Sequence, residues 1–282
     1  MKDKVSIIIP ARYNSKRFPG KPLAVINGRS LIERVWRIAK AVKLPEELTD
    51  TTIDVLIATD NNLIYEQCLK FGANVIMTPE YCKNGTERVA YAINNKDDSN
   101  KDDSNENEYS KNNPFKHIVV NLQGDAVLTP PWIIEAIIEK ILNNHSIKMC
   151  TPAVHLNEKD YEKLAENKKT GIIGGTTVTF SKSYRALYFS KNLIPFLRNK
   201  NADNFPVYRH IGLYAYKKET LLKLTKLEQS PLEKTEGLEQ LRALENDIPI
   251  NVVIVDYKGR TAWSVDNPED INIVENIIKK EG

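Results

Sequence analysis

The sequence predicts an α/β protein in which a mostly parallel sheet, flanked by helices, is joined by a smaller mixed antiparallel lobe. In the first half of the chain, short apolar runs of strand length alternate with helical patterns, which is typical of a parallel sheet covered on both faces. In the second half, strand-like runs and helices alternate less regularly, which suggests that antiparallel strands extend the sheet. With 282 residues, 41% of them hydrophobic, the chain can bury a sizeable core. We expect one domain spanning residues 1–282.

The individual elements follow from local patterns. Val5–Ile9 is an apolar run of buried-strand length, and Pro10 ends it. Ser30 and Glu33 form a capping-box pattern ahead of a helix whose apolar residues recur every three or four positions. The other predicted elements of the first half are strands at Ile53–Ala58, Asn74–Met77 and Ile118–Leu122, a helix ending near Phe71 and a helix over Glu87–Ile93. Those of the second half are strands at Thr176–Phe180, Ala186–Phe189, Ile211–Tyr216 and Ile250–Val255, and helices at Lys218–Leu227, Leu232–Asn246 and about Pro268–Lys280.

Residues 96–113 interrupt this pattern. KDDSN occurs twice in succession, NENEYSKNN follows, and Tyr109 is the only large apolar side chain. Such a segment buries too little apolar surface to offset the entropy lost on ordering it. Because a buried-strand pattern resumes at Ile118, we expect a disordered polar insertion within the domain rather than a domain boundary.

Composition and charge exclude several classes of partner. The formal net charge is only +3, so a nucleic-acid binder is not expected, although a local basic loop can hold a small anion. Cys68, Cys82 and Cys150 lack a CxxC pair and nearby histidines, which predicts reduced, buried thiols rather than a zinc site. There is no signal-peptide pattern and no run of 18 apolar residues, so we expect a cytoplasmic protein without membrane contact.

A cationic loop follows the first predicted strand. Arg12, Lys16, Arg17 and Lys21 lie in it, outside the carboxyl end of a strand, where open α/β sheets bind ligands. Four cations there suit a polyphosphate. A solvated basic loop is the alternative. The chain lacks the glycine motif of dinucleotide-binding folds, and a proline replaces the Ser or Thr of a Walker loop after Gly20-Lys21.

Two aspartates are candidate metal ligands. Asp125 comes just after the predicted strand ending at Leu122, and Asp266 lies at a strand-to-helix junction. Two carboxylates from separate loops suit Mg²⁺, which is usually held by one or two carboxylates together with substrate phosphates. For Asp266, a helix N-cap with Pro268 in the first turn is an equally good reading.

Three further segments leave alternatives open. Thr86 is either a helix cap or a binding residue. His210 precedes an apolar run and is more often packed or solvated than catalytic in such a position. Glu239-Gln240 lies on a helix beside an apolar leucine stripe, so a solvated helix face is the simpler interpretation.

In order along the chain, these segments make the sequence similar to the 3-deoxy-manno-octulosonate cytidylyltransferase (CMP-Kdo synthetase) family. The matching segments, from Ile8 to Asp270, are IIPARYNSKRFPGKPL, ATD at 58–60, NGTERVA, NLQGD, ALYFSK, RHIGLYAY, SPLEKTEGLEQLR and VDNPED. Each alone is a weak signal, but a chance match of so many ordered segments is hard to credit.

The resemblance implies a Rossmann-like nucleotide-diphospho-sugar transferase fold, whose smaller lobe serves sugar binding and dimerisation, and a homodimer. The implied reaction is Mg²⁺-dependent transfer of CMP from CTP to the anomeric hydroxyl of the acidic sugar 3-deoxy-manno-octulosonate (Kdo), releasing pyrophosphate, in lipopolysaccharide or capsule synthesis. The resemblance assigns nucleotide binding to Ala11, Arg12, Arg17, Lys21, Thr86, Arg88 and Gln123, sugar binding to Gln123, His210, Tyr214, Glu239 and Gln240, metal binding to Asp125 and Asp266, and catalysis to Arg12, Lys21, Asp125 and Asp266.

The chain departs from the family pattern at two places. Gly124-Asp125-Ala126-Val127 stands where Gly-Asp-Glu-Pro is common, and residues 170–177 replace a stretch that carries a lysine near the expected sugar site. The second change leaves the sugar open, so another acidic sugar, such as an acylneuraminate or an amino derivative of Kdo, is an alternative acceptor. A non-catalytic sugar-nucleotide-binding protein is a further alternative, against which the two retained aspartates argue. A glycosyltransferase would show a DxD motif, and the acidic pairs of the insertion do not qualify.

Overall fold

The computed structural model describes residues 2–15, 17–48, 50–98, 117–170, 174–198 and 205–281. The strands are β1 Lys4–Ala11, β2 Val25–Ile26, β3 Arg29–Ser30, β4 Thr52–Thr59, β5 Asn74–Met77, β6 His117–Leu122, β7 Met149–His155, β8 Thr177–Phe180, β9 Ala186–Ser190, β10 Tyr208–His210, β11 Leu213–Lys217 and β12 Asn251–Ile254. The helices are α1 Leu31–Lys40, α2 Asn62–Lys70, α3 Gly85–Asp98, α4 Pro131–Leu142, α5 Glu158–Lys169, α6 Lys218–Leu224, α7 Pro231–Glu236, α8 Gln240–Glu245 and α9 Asp270–Glu281.

Ten of the strands form one continuous sheet. Its order is β5-β4-β1-β6-β11-β7-β10-β8-β9, with β12 beside β7. The strands β5, β4, β1 and β6 run parallel, whereas β11, β7, β10, β8 and β9 pair antiparallel. The predicted parallel half with an antiparallel extension is therefore confirmed. The strands β2 and β3 form a separate hairpin.

Helices cover both faces of the sheet, because apolar side chains of β1 point alternately to one face and the other. Ile7 and Ile9 belong to one buried cluster, which α1, α2, α4 and α9 complete. Ile8, between them, points into a second cluster that α3, α6 and α8 complete. Successive side chains of a strand point to opposite faces, so a strand apolar at every position must be buried on both. The central strands are therefore rigidly held, and their ends are well placed to carry a site.

Some elements differ from the predictions. The predicted helix at Leu232–Asn246 is two helices, α7 and α8, because Gly237 adopts φ +61° and ends α7 in the left-handed conformation. Helix α3 continues through Asp98, so the first three residues of the predicted insertion are helical. Its remaining residues, 99–113, lie outside the described residues. The prediction did not include α4, β7 and α5.

The cysteines follow the prediction. Cys68, Cys82 and Cys150 are buried and form no disulfide. Burial raises the pKa of Cys68 to about 12, so its thiol stays protonated and unreactive. None of the helices in the described ranges combines the length and apolar character needed to cross a bilayer.

Candidate active site

Two loops meet where the parallel strands end. Because β1 pairs in parallel with β6, the loop after Ala11 and the loop after Leu122 leave the same edge of the sheet. Gly124 sits where the loops touch: a Cβ at this position would lie 2.7 Å from the carbonyl oxygen of Pro10. Only glycine allows so close a backbone approach. This contact brings the residue that follows it, Asp125, next to the cationic loop.

A cavity of about 510 Å³ opens at this edge, and we call it the cationic cavity. It collects most residues that the resemblance assigns to nucleotide and metal: Ala11, Arg12, Arg17, Lys21, Arg88, Gln123, Asp125 and Asp266. Lys16, the fourth cation of the loop, lies outside the described residues. The two aspartates, 141 positions apart in sequence, therefore converge on one site.

Each aspartate is paired with a cation of the opening loop. Lys21 donates from Nζ to Asp125 Oδ2 at 2.8 Å and to the carbonyl oxygen of Val265 at 2.9 Å. Arg17 donates to Asp266 Oδ1 at 2.6 Å. Within the described ranges, the second carboxylate oxygen of each aspartate accepts no hydrogen bond. Both carboxylates thus keep one oxygen available to a cation.

Arg12 differs from its neighbours in the loop. Its side chain is exposed and lines the cationic cavity, yet it forms no ion pair within the part of the chain that the structure describes. An exposed guanidinium without a carboxylate partner keeps all its donors for an anion.

The alternative interpretation, in which Asp266 is the N-cap of the helix that follows it, is wrong. Helix α9 begins at Asp270, and the Asp270 carboxylate accepts hydrogen bonds from the backbone N–H groups of Asp266 and Asn267, each at 2.8 Å. The indole of Trp263 donates to the same carboxylate at 3.0 Å. Asp270 therefore organises the turn before α9, and the side chain of Asp266 is left to face the cavity.

Thr86 and Glu239 form a support behind the cavities. Asn84, not Thr86, caps α3, because its side chain accepts from the N–H of Glu87 at 2.8 Å. The Thr86 hydroxyl donates to Glu239 Oε2 at 2.9 Å and accepts from the amide of Asn121 at 3.3 Å. Burial raises the pKa of Glu239, against the effect of the Thr86 hydrogen bond. Neither Thr86 nor Glu239 is among the residues that line the two cavities described here.

Arg88 and Gln123 are held in place at the wall of the cationic cavity. Arg88 is only 2% exposed and donates to Asp60 Oδ2 at 2.6 Å and to the hydroxyl of Thr78. Gln123 donates from Nε2 to Asn121 Oδ1 at 3.0 Å. The Arg88 charge is thus already compensated, unlike that of Arg12.

A second cavity of about 460 Å³ adjoins the first and reaches into the antiparallel lobe, and we call it the lobe cavity. It shares Gln123, Asp125 and Asp266 with the cationic cavity. Its other polar lining residues include Thr129, Thr176, Arg209, His210, Tyr214, Gln240, Tyr257, Trp263 and Ser264. Residues 171–173, within the segment that departs from the family pattern, lie outside the described residues.

His210 is neutral and fixed in the wall of the lobe cavity. Its Nε2 lies 2.8 Å from the hydroxyl oxygen of Thr151, and that hydroxyl donates to the carbonyl of Leu213 at 2.7 Å. With the one hydroxyl proton directed to Leu213, the network assigns the imidazole proton to Nε2, which donates to Thr151. Burial lowers the pKa of His210 to about 3. The imidazole packs between Phe189 and Tyr214, with ring centroids 5.0 and 5.4 Å away.

Sequence reasoning missed Arg209, Tyr257 and Trp263, all of which line the lobe cavity. Arg209 stands beside His210 in the segment that suggested the family, and it belongs to a short strand, β10, that the prediction did not include. Trp263 stands three residues before Asp266. Arg209 and Trp263 lie close in sequence to His210 and Asp266, which were candidate site residues, and this proximity was the available signal.

The fold and the two cavities are typical of an α/β nucleotide-binding protein: cations and two carboxylates meet at the carboxyl edge of a parallel sheet, beside a second cavity. A family model described as cytidylyltransferase matches residues 6–250. A 3-deoxy-manno-octulosonate cytidylyltransferase from Maricaulis maris is 47% identical over 99% of this chain and 98% of its own length. One from Chlamydia pneumoniae is 36% identical over 96% and 92%. The chain belongs to the 3-deoxy-manno-octulosonate cytidylyltransferase family, as the sequence segments indicated.

Three further proteins are similar in sequence or in fold. A relative from Shewanella woodyi, 38% identical over 96% of this chain and 97% of its own length, is named 8-amino-3,8-dideoxy-manno-octulosonate cytidylyltransferase. Among solved structures, CMP:2-keto-3-deoxy-manno-octonic acid synthetase complexed with CTP matches with a TM-score of 0.79 and 27% identity, over 99% of this chain and 100% of that one. A cytidylyltransferase from Leptospira borgpetersenii, with a TM-score of 0.57 and 15% identity over 99% of this chain and 87% of its own, shares the fold.

Proposed function

We propose that the protein transfers CMP from CTP to the anomeric hydroxyl of Kdo and releases pyrophosphate. One observation carries the proposal: three cations of the opening loop and two carboxylates from two other segments line one cavity, and those carboxylates also line the adjoining cavity. The triphosphate occupies the cationic cavity and the sugar the lobe cavity. The reacting hydroxyl and the α-phosphorus then meet at the shared wall.

The cations of the opening loop bind the triphosphate. Arg12 has free donors, whereas Lys21 and Arg17 are each paired with a carboxylate. These pairs are partly exposed, so exchanging a carboxylate for a phosphate oxygen costs little. The sugar hydroxyl attacks the α-phosphorus in line, and catalysis is mostly positioning together with neutralisation of phosphate charge.

Asp125 and Asp266 fit a divalent cation, which we propose to be Mg²⁺. Each keeps an oxygen free of hydrogen bonds, and no group of three acidic, histidine or cysteine side chains gathers as an alternative set within the described residues. Magnesium commonly takes one or two carboxylates and completes its octahedron with water and phosphate oxygens. When bound, such an ion neutralises charge on the phosphate oxygens and the departing pyrophosphate.

The lobe cavity supplies hydrogen bonds to the sugar hydroxyls. We assign this role to Gln123, His210, Tyr214 and Gln240, which line the cavity. The neutral imidazole of His210 has a free acceptor at Nδ1, because Nε2 is the protonated nitrogen. Glu239 acts from behind, through its hydrogen bond with Thr86.

We infer from the family resemblance that the chain works as a single catalytic domain in a cytoplasmic homodimer. Leu187 of the edge strand β9 and Phe196 are 63% and 89% exposed, and they offer apolar surface at the antiparallel end of the sheet. Light scattering of the purified protein tests the dimer.

The test of function is a pyrophosphate-release assay with CTP, Mg²⁺ and a panel of acidic sugars. We expect turnover with CTP and Kdo, and little when ATP or GTP replaces CTP. The 8-amino derivative of Kdo is the second candidate acceptor, since the relative from Shewanella woodyi bears that name. Turnover with the amino sugar alone would replace Kdo as the acceptor. Absence of turnover across the panel would favour a non-catalytic sugar-nucleotide-binding protein.

A further inference from the structure

A third cavity, of about 230 Å³, opens between helices α1, α4 and α9, and we call it the arginine cavity. Four arginines line it: Arg29, Arg34, Arg37 and Arg260. Among the described residues, it shares Thr129 with the lobe cavity and no lining residue with the cationic cavity. Neither the triphosphate nor the sugar of the proposed reaction therefore accounts for this concentration of positive charge.

Acidic side chains compensate these charges only in part. Arg37 and Arg29 share one carboxylate oxygen, Glu33 Oε1, at 2.9 and 3.7 Å. The acidic residue that lines the cavity, Glu281, accepts from the backbone N–H and the hydroxyl of Thr261 at 2.9 and 2.6 Å. Two guanidiniums that meet at a single carboxylate oxygen keep most of their N–H donors for another acceptor.

Arg34 is half-buried and held in place. It donates to two backbone carbonyls of the β2–β3 hairpin, at 2.7 and 3.0 Å, and it forms no ion pair within the described residues. Burial and the nearby charge of Arg29 lower the pKa of Arg34, whereas Glu275 and Glu33 oppose this effect. An anion in the cavity would compensate the repulsion between the two guanidiniums.

The opposite wall of the arginine cavity is also positive. Arg260 is exposed, its guanidinium lies 5.3 Å from the centre of the Trp132 ring, and it has no carboxylate partner in the part of the chain that the structure describes. Helix α4 begins beside it at Pro131, with no acidic residue in its first turn and no side-chain cap. The partial positive charge of that helix end adds to the charge of the arginines.

The shape and charge of the arginine cavity suit a phosphate group. Guanidiniums bind phosphate oxygens through paired, charge-assisted hydrogen bonds, and here they approach from two walls. Since water takes up about 30 Å³ per molecule, the cavity has room for a phosphate and some of the atoms attached to it. Its apolar lining residues, Ile38, Val127, Leu128 and Ile278, are packed against the core, so they offer a bilayer no apolar surface to insert.

We propose that the arginine cavity is a second anion site, separate from the active site, which binds the phosphate group of a soluble molecule. Arg37 on α1 and Arg260 in the loop before α9 bind the phosphate oxygens from opposite walls. Arg34 supports them from the base, where its own donors are taken by the hairpin. The site does not depend on the proposed function.

The experiment measures the binding of inorganic phosphate and of glycerol phosphate by calorimetry, at a pH where both are dianions. We expect Arg37→Gln and Arg260→Gln each to raise the dissociation constant about 10-fold, the scale of losing one hydrogen-bonded charge partner, and the double variant to raise it further. Arg37→Lys should have a smaller effect than Arg37→Gln, because a point charge cannot form the paired contact. Melting temperatures in phosphate-free buffer show that each variant is folded.

Two control variants locate the bound anion. Arg185→Gln removes an exposed arginine outside the three cavities and should bind phosphate as the wild type does. Arg12→Gln changes the cationic cavity and should leave binding at the arginine cavity intact. Loss of phosphate binding in Arg12→Gln, with full binding in the double variant, would place the anion in the cationic cavity and overturn the proposal. So would wild-type protein that binds neither phosphate probe, or that binds only vesicles containing phosphatidic acid.

Discussion

Charged groups at the cationic cavity and charged groups in the helices α7 and α8 are in opposite states. At the cationic cavity, the pairs Lys21–Asp125 and Arg17–Asp266 join loops far apart in sequence, and their side chains are 15–64% exposed. In contrast, Arg242 of α8 and Glu233 of α7 form a doubly hydrogen-bonded pair with side chains 4% and 6% exposed. Exposed pairs contribute about 0–1 kcal/mol and exchange partners readily, whereas breaking a buried pair costs about 3–5 kcal/mol. The ion pairs of the cationic cavity can therefore open so that their charged groups bind a ligand, whereas the Arg242–Glu233 pair keeps its geometry.

The largest effect on turnover is expected at the cationic cavity, where the ion pairs can exchange partners. Replacing Asp125 or Asp266 by Asn preserves size but removes the charge that holds a divalent cation. We expect turnover to fall by at least about two orders of magnitude, the scale of removing one preorganised electrostatic group. Raised Mg²⁺ should partly rescue each single variant and should rescue the double variant least. Steady-state kinetics across a Mg²⁺ series measures this.

Asp270 provides the control for Asp266. Because Asp270 accepts the backbone hydrogen bonds before α9, Asp266→Asn should leave the melting temperature unchanged. Asp270→Ala should lower stability by about 1 kcal/mol, as loss of a capping side chain does. Normal turnover of Asp266→Asn at low Mg²⁺ would remove that residue from the metal site.

Arg12 is expected to show the next largest effect, and it sharpens the contrast between the cavities. Its guanidinium is exposed and unpaired within the described residues, so it contributes to nucleotide binding rather than to folding. We expect Arg12→Gln to raise the KM for CTP about 10- to 100-fold with the KM for the sugar unchanged. Substrate-saturation curves of Arg12→Gln for CTP and for the sugar test this prediction. Equal effects on both substrates would show that the cavities do not divide the substrates as proposed.

The contrast also explains what the sequence could predict. The strands β1, β4 and β6 each contain a run of buried apolar residues, and the rule that ligands lie at the carboxyl ends of parallel strands places the cationic loop and Asp125 together. Strand β7 was missed because Pro152 lies within it, and proline argues against a central strand. Helix α5 has one buried residue, Leu164, and so no apolar periodicity. Helix α4 carried a clear apolar pattern that the prediction overlooked.

The sequence could not predict which side chains form hydrogen bonds and ion pairs with one another. The Arg17–Asp266 contact joins residues 249 positions apart, and the choice of Asp270 over Asp266 as the acceptor for the turn depends on the exact backbone path. The partial burial of Glu239, which a helix-face pattern predicted to be solvated, depends on its contact with Thr86 of α3. Local patterns place loops at an edge of the sheet, but tertiary packing decides which groups pair.

Smaller effects on turnover are expected from Thr86 and Glu239, which lie behind the cavities and do not line them. Thr86→Val removes the hydroxyl that donates to a buried carboxylate, and the free energy of unfolding should fall by about 1–3 kcal/mol. Glu239→Gln should cost less, because burial already disfavours the charged form and an amide oxygen can still accept from Thr86. Urea denaturation measures both, and we expect turnover to change only a few-fold. A loss of turnover in Glu239→Gln as large as that in Asp125→Asn would mean that the carboxylate acts directly on substrate.

The smallest effect on rate concerns His210 and pH. Burial lowers the pKa of this imidazole from 6.5 to about 3, so it stays neutral throughout the physiological range and should add no inflection to the turnover profile between pH 6 and 8. The consequence for folding has a definite sign. Between pH 6.5 and about 3 the unfolded chain binds a proton at His210 that the folded chain excludes, so this residue's contribution to stability is fully present above pH 6.5 and is lost as the pH falls through that window. His210→Gln keeps an N–H that can donate to Thr151 and removes the titration, so its unfolding free energy should decline less steeply than that of the wild type between pH 6.5 and 4.5. A turnover inflection near pH 6.5 that vanished in His210→Gln would instead show that the imidazole titrates in the native site and that the wall of the lobe cavity is wetter and less rigid than its packing implies.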